Sequence, residues 1–378
     1  MLPIEHYKDR PQTYLKHFFL EQYLETVAYH IGFSQPDFVF VDGFSGPWRA
    51  TDAELRDTSF SIAIQKLQSV SQGLKKCGKN PRIRCLFVEQ RPKSFRSLEE
   101  AVRDRAGVET RAINGAFEDN IGAIAEFVGS SFSLVFIDPT GWNVPLNTIR
   151  PLLCRRKTEV IVNFMWEFAN RFTNSPDEKI LSTFDEFFGS RDWRNVLSSS
   201  ENREETAVSY YCEQVRRAGG FEHVVSTKIQ KHLADRTYFH LVYATNHLKG
   251  LRKFRDVENA LIHEQDEVRL ISEQNRRVER SHQPELFGAT EAVKENPSVL
   301  AELQDRRAEA QRRLIGMLQS RQALRFEEIL AELLLIPMVS ERVVVEILLS
   351  LEDSGLLVVD GRKKGKRKPE LSWIYRRA

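Results

Sequence analysis

The sequence predicts an α/β fold built on a doubly wound, mostly parallel sheet. Three observations predict it: short apolar runs recur and end in acids or polar turns, amphipathic helical stretches separate them, and the first run opens into a glycine-bearing loop. That first run, Phe38-Val39-Phe40-Val41, is too short for a helix and rich in strand-favouring types. It ends in Asp42-Gly43-Phe44-Ser45-Gly46-Pro47, where two glycines allow a tight turn and close backbone approach to a ligand. A buried strand entering such a loop is how a doubly wound sheet opens a nucleotide site. The spacing is G-x-x-G, not G-x-G-x-x-G, so an ordinary strand-to-loop turn fits these residues as well.

Taken in order, the elements support that class. Gln12–His30 carries Leu15, Phe18, Phe19, Tyr23 and Val27 at helical intervals, predicting an amphipathic helix on the sheet. Lys16 and His17 lie on it, either as a solvated lysine beside a half-buried histidine or as polar contacts at a ligand mouth. Cys85-Leu86-Phe87-Val88 ends in Glu89. Val108–Ile113 ends in Asn114-Gly115, with Asp119 just after. Phe132–Ile137 ends in Asp138-Pro139-Thr140-Gly141-Trp142, and Glu159–Met165 follows as EVIVNFM. Helices are expected near Ser59–Gln72, Ser94–Arg105 and Ala116–Gly129, with a basic turn over Lys75–Pro81. This alternation argues a parallel sheet. After a helical, aromatic insertion over 166–220, His223–Lys231 and Thr237–Thr245 read as a late strand pair forming an antiparallel edge.

From Leu251 the pattern becomes dense mixed charge, read as solvated helices or a helical linker broken at Gln283-Pro284 and Asn296-Pro297. The last stretch reads helix, turn, helix, strand, basic loop, strand, a winged-helix order. Its loop concentrates Lys363, Lys364, Lys366, Arg367 and Lys368, residues suited to phosphate contacts. The helix carrying Glu341, Arg342 and Glu346 is not basic, so base reading is not expected of it. The expected division is 1–250 for the α/β domain, 251–322 for the charged helical region and 323–378 for the winged-helix-like domain.

Composition narrows the class. The 378 residues are 41% hydrophobic and 29% charged, as in a soluble globular protein. No run approaches a membrane span and MLPIEHYKDR lacks a signal-peptide core, so a cytoplasmic protein is expected. The four cysteines form no C-x-x-C pair, which supports neither a metal site nor disulfides. A net charge of +2 implies no global attraction to polyanions; the basic loop is a local feature.

The strand-end signals have the spacing of S-adenosylmethionine-dependent methyltransferases more than of dehydrogenases. With such a cofactor, backbone N–H groups of the turn from Phe44 would face the methionine carboxylate. Asp42 would hold its amino end, Glu89 would accept from both ribose hydroxyls, and Asn114 and Asp119 would hydrogen-bond the adenine edge. Asp138 and the Pro139 carbonyl are placed to accept both protons of an exocyclic amine, aiming its lone pair at a methyl group, with Trp142 as stacking platform. The plainer reading of that motif is a strand-ending Asp-Pro turn with Trp142 capping the core.

KHFFLEQYL (Lys16–Leu24), FVDGFSGPWR (Phe40–Arg49), LFVEQ (Leu86–Gln90), FIDPTGW (Phe136–Trp142), EVIVNFM and YATNHLKGLRKF (Tyr243–Phe254) together resemble the three-Cys-motif partner protein family, TcmP, over roughly residues 10–290. The resemblance implies a Rossmann-like, class I methyltransferase-type fold and pairing with a three-Cys-motif protein that resembles radical-SAM enzymes. It leaves the reaction open. FIDPTGW is also similar to the Asp-Pro-Phe-Gly end of tRNA guanine-N2 methyltransferases and to the D-P-P-Y end of adenine-N6 enzymes. It departs from both at Thr140, where an aromatic is expected, and Trp48 stands where family members have a second glycine.

Three functions follow. The first is S-adenosylmethionine-dependent methylation of a base amino group in DNA or RNA, guided by the winged helix. The second is a non-methylating nucleic-acid-binding scaffold or sensor that tethers a partner enzyme. The third is nucleic-acid cleavage using Asp42, Glu89 and Asp138, which requires metal-ligand geometry.

Overall fold

The computed structural model describes every residue except 8, 9, 47–49, 140, 142, 143, 174, 235, 282–296 and 363–367, together with the side chains of 279–281. The chain divides into two compact units, Met1–Asn246 and His247–Ala378.

In the first unit the apolar runs become strands: β1 (Asp37–Asp42), β2 (Arg82–Glu89), β3 (Glu109–Asn114), β4 (Phe132–Ile137), β5 (Thr158–Phe164), β6 (His223–Gln230) and β7 (Thr237–Thr245). They form one seven-stranded sheet in the order β3-β2-β1-β4-β5-β7-β6. The first five are mutually parallel; β7 runs antiparallel to both β5 and β6. β4 and β5 are buried at every position, as a strand covered on both faces must be. β3 is an edge strand and half exposed, which is why its run is the least apolar.

The covering helices are α1 (Pro11–Ser34), α2 (Ser59–Lys76), α3 (Pro92–Val102), α4 (Ile121–Val128), α5 (Leu146–Leu153), α6 (Trp166–Phe172), α7 (Glu178–Phe188), α8 (Trp193–Ser198) and α9 (Arg203–Gly219). α2 runs past its expected end and takes up Lys75 and Lys76, because Leu74 is fully buried and holds the last turn down. The helix expected over Ala116–Gly129 starts later: Glu118–Asn120 forms a 3-10 turn before α4. α1 is fixed to the sheet by a buried polar cluster. Tyr23 Oη lies 2.7 Å from Glu159 Oε2 and 2.6 Å from Tyr243 Oη, and Thr245 Oγ1 donates to Glu159 Oε1 at 2.9 Å.

The second unit holds α10 (Leu248–Ser281), α11 (Pro297–Ser320), β8 (Ala323–Arg325), α12 (Phe326–Leu333), α13 (Glu341–Asp353), β9 (Leu357–Asp360) and β10 (Ile374–Arg377). The three strands form an antiparallel sheet in the order β8-β10-β9. Ala310, Leu314 and Leu318 give α11 a buried stripe within its mixed charge, and Phe326, Ile329, Ile347, Trp373 and Tyr375 join that core. Among the described residues, no helix is long and apolar enough to cross a membrane.

Candidate functional site

The sheet order reverses between β1 and β4, and ligands of doubly wound sheets bind outside the strand C-termini at such a switch point. The expected site residues of the first unit gather along that edge: Asp42 ends β1, Glu89 ends β2, Asn114 ends β3 and Asp138 follows β4. Asp119 is exposed on the 3-10 turn beyond β3.

Asp42 is fully buried. Phe44 N donates to its Oδ1 at 3.0 Å, and Ser59 Oγ, at the start of α2, donates to its Oδ2 at 2.6 Å. Burial pushes its pKa up to about 6. The Ser59 and Phe44 hydrogen bonds oppose that rise, and the nearby Asp138 charge adds to it. The following turn is tied to its neighbours: Gly43 N donates to Phe136 O and Ser45 N to Val88 O, both at 2.9 Å. A Cβ at Gly43 would sit 2.8 Å from the Phe117 ring, so that close approach requires glycine. The N–H groups of Gly43, Phe44 and Ser45 are therefore spent inside the protein. They are not left to face a ligand's carboxylate, as the sequence suggested for Phe44 onward; Gly46 is the next described residue of that turn.

Glu89 is 7% exposed. Arg91 N donates to its Oε1 at 2.6 Å, while Oε2 has no hydrogen-bond partner among the described residues. Asn114 uses its amide nitrogen on the carbonyls of Glu89 (2.9 Å) and Gln90 (3.3 Å), which fastens the ends of β2 and β3 to each other.

Asp138 is held from two sides. Lys16 Nζ, from α1, pairs with Oδ2, and Asn163 Nδ2, near the end of β5, donates to Oδ1 at 2.6 Å. Asn163 is buried, and its Oδ1 has no partner among the described residues. Lys16 also approaches the Phe239 ring, 6.0 Å from its centroid. Its neighbour His17 is turned inward against Tyr7 (Nδ1 to Oη, 3.1 Å), and burial drives its pKa down to about 3, with the Lys16 and Arg10 charges acting the same way. His17 is thus a neutral core residue, and Lys16 is the member of the pair that reaches the site.

Asn163 and Ser59 were not singled out from the sequence. The signal for Asn163 was present, an amide inside the otherwise apolar EVIVNFM; Ser59 reads only as a helix-start residue. Of the remaining expectations, Trp142, Trp48, Thr140, Lys363, Lys364, Lys366 and Arg367 lie outside the described residues, Pro139 is buried beside Asp138, and Lys368 is exposed in the second unit. Among the described residues, Asp42, Glu89 and Asp138 do not converge as a metal-ligand set.

The strand order, the antiparallel β7 and the polar residues at the switch point define a methyltransferase-like Rossmann fold. No family model and no curated protein matches the chain. Among solved structures it is similar to a Legionella pneumophila protein of the DUF519 family at 10% identity, covering 60% of this chain and 84% of that one, with a TM-score of 0.34. It is similar to a Streptomyces avermitilis protein of the DUF574 family at 10% identity, over 61% and 83% of the two chains, with a TM-score of 0.33. It is also similar to loganic acid methyltransferase with SAH at 10% identity, over 70% and 88%, with a TM-score of 0.28. Scores this low carry no argument about activity, and the fold rests on the topology above.

Proposed function

We propose that this chain is an S-adenosylmethionine-dependent methyltransferase acting on an amino group of a nucleic-acid base. The observation that carries the reading is the placement of Asp138, oriented by Lys16 and Asn163, beside the β1 turn at the switch point. The site residues fit the cofactor at one informative point: Glu89 is anchored through Oε1 and keeps Oε2 for a ribose diol. Bound there, the cofactor supplies an electrophilic methyl carbon on its sulfonium.

The chain's own residues then orient the acceptor. Each carboxylate oxygen of Asp138 has lone-pair capacity beyond its bond to Lys16 or Asn163. Asp138 and the Pro139 carbonyl accept the two amino protons and leave the nitrogen lone pair facing the methyl donor. The surplus proton leaves after transfer, so no dedicated base is required.

The element order of the second unit supports a winged-helix module that brings nucleic acid, DNA or RNA, through the basic loop. Membership of the three-Cys-motif partner family, with a radical-SAM-like partner, rests on the sequence resemblance. One observation favours the second reading, a non-methylating scaffold: the first three N–H groups of the β1 turn are already used within the protein.

Calorimetric titration with S-adenosylmethionine and S-adenosylhomocysteine separates the two. Saturable binding that Glu89→Ala weakens at least tenfold is expected, with Asp138→Ala binding the cofactor normally yet giving no methyl transfer. A folded protein that binds neither ligand is a scaffold, and turnover retained in Asp138→Ala removes the amine mechanism.

A further inference from the structure

At the opposite end of the sheet, where β2 and β3 begin, lies an open cleft of about 440 Å³. At the strand rise of about 3.3 Å per residue, β2 sets it roughly 20 Å from Glu89. Its walls come from three separate places: the last turns of α2, the chain entering β2, and the loop between α3 and β3. Each contributes a cation, Lys75, Arg82 and Arg105 respectively. One acid faces them, Glu109, and it is paired with Arg82 at 2.9 and 2.7 Å. Arg105 Nε donates to Ala101 O at 2.8 Å, so its guanidinium is held against α3.

Lys75 and Asn80 are exposed, and their side chains have no hydrogen-bond or ion-pair partner among the described residues. Ser71, only 4% exposed, also lines the cleft, and its hydroxyl has no hydrogen-bond partner among the described residues. Gly107 stands over that hydroxyl at φ +79°, and a Cβ there would lie 3.4 Å from Ser71 Oγ. The loop is not loose, because Gln68 Nε2 holds Ala106 O at 3.0 Å.

Lysines in the last turn of a helix have an ordinary explanation in the helix dipole, and it covers Lys75 and Lys76. Arg103, the C-cap of α3, has the same explanation, whereas Lys79 and the β3 residue Arg111 are exposed beyond the helices and extend the positive surface from the cleft along the β3 edge. Segments 75–82 and 103–111 together hold seven Lys/Arg against two acids, in a chain whose whole net charge is +2. A cleft lined by Lys75, Arg105, an Arg82 that shares its charge with Glu109, and the unpartnered Ser71 hydroxyl matches one phosphate group; the cations running on from it match the next phosphates of a strand.

We propose that this cleft and edge dock a nucleic-acid phosphodiester backbone. The inference does not depend on the methyl-transfer reading and concerns a surface remote from the strand-end acids. Phosphate contacts release counterions, so each should add about 0.9 to the slope of log affinity against log salt for duplex DNA, and about 0.7 for a single strand.

The test uses the full chain and a short fluorescent oligonucleotide, single-stranded and as a duplex, followed by anisotropy through a salt series without cofactor. Lys75→Glu/Arg105→Glu should bind at least tenfold more weakly at low salt, with the slope reduced by roughly two. Lys75→Arg/Arg105→Lys should bind as the wild type, with circular dichroism showing both variants folded. Wild-type affinity and slope in the charge-reversed chain overturn the proposal. So does an oligonucleotide that fails to bind the wild type, or a loss confined to poly-glutamate, which would mark an acidic-protein surface. The anisotropy series contains no cofactor and the methyl-transfer reading is tested by calorimetry with S-adenosylmethionine, so failure here and failure of that reading are separable.

Discussion

Lys16 and Asp138 are 122 positions apart, and their ion pair is the contact that turns a strand end into an oriented site. Lys16→Met keeps the aliphatic stem and removes the charge, leaving Asn163 alone to aim the carboxylate. Small displacements of an acceptor from productive geometry cost about 100-fold. For the proposed methyl transfer we therefore expect kcat to fall ten- to hundredfold in Lys16→Met with the Kd for S-adenosylmethionine unchanged, and Lys16→Arg to recover part of it. Equal losses in kcat and cofactor binding would mean that Lys16 serves the cofactor pocket instead. The acids were legible in the sequence because each sits where an apolar run stops, a purely local signal. Their partners were not. That Lys16 reaches Asp138 while its neighbour His17 is buried against Tyr7 depends on how α1 is rotated on the sheet. Residue spacing predicts that helix but not its azimuth.

Among the elements of the second unit, α10 is the one whose sequence says least about its packing. Its mixed charge reads as solvated, yet Arg255 and Glu258 are 0% and 1% exposed and pair at 2.7 Å. Arg255 Nε donates to Leu334 O at 2.8 Å, and Glu258 Oε2 accepts from Met338 N at 3.0 Å. The pair thus clamps the turn between α12 and α13, in which Met338 adopts φ +64°. A buried pair is costly to break from one side, about 3–5 kcal/mol, because the other charge is left unpaired. Glu258→Leu should lower the unfolding transition of this unit by that amount, measured by urea denaturation. Arg255→Met/Glu258→Leu should recover much of it; a double variant no better than the single would show that the backbone clamp, not the lone charge, dominates. Charge patterning misled here because burial of an ion pair needs tertiary partners, the carbonyls of Leu334 and Leu335. Two strands, Phe132–Ile137 and Thr237–Thr245, match their expected bounds, since continuous β-branched and aromatic runs leave little freedom, whereas β2 begins at Arg82, three residues before the expected Cys85, because the alternating Arg82 and Arg84 hide its start.

For the whole molecule, two buried groups of the first unit act on stability in opposite directions over the same pH range. Asp42 has its pKa raised by burial to about 6, against 3.8 for the free group, so the folded state holds its proton more tightly than the unfolded chain. Its contribution is fully present below the unfolded value and is lost as pH rises through about 6. At 1.36 kcal/mol per pKa unit that loss is roughly 3 kcal/mol. His17 is the reverse case. Its pKa is lowered to about 3, so the unfolded chain takes up the proton first, and stability falls as pH drops from about 6.5 toward 3. Between about pH 4 and 6 the two slopes oppose, and the wild type should show a muted pH dependence there. Removing either group should expose the other. Asp42→Asn, which can still meet Phe44 N and Ser59 Oγ, should gain on the wild type as pH rises from 4 to 6. His17→Gln should gain on it as pH falls over that interval. Urea midpoints of the three proteins at closely spaced pH values measure both differences directly, and difference curves remove the surface carboxylates common to all three. A flat difference for Asp42→Asn would mean that Ser59 and the Phe44 N–H outweigh burial, which would leave a fully charged carboxylate at the switch point throughout that pH range.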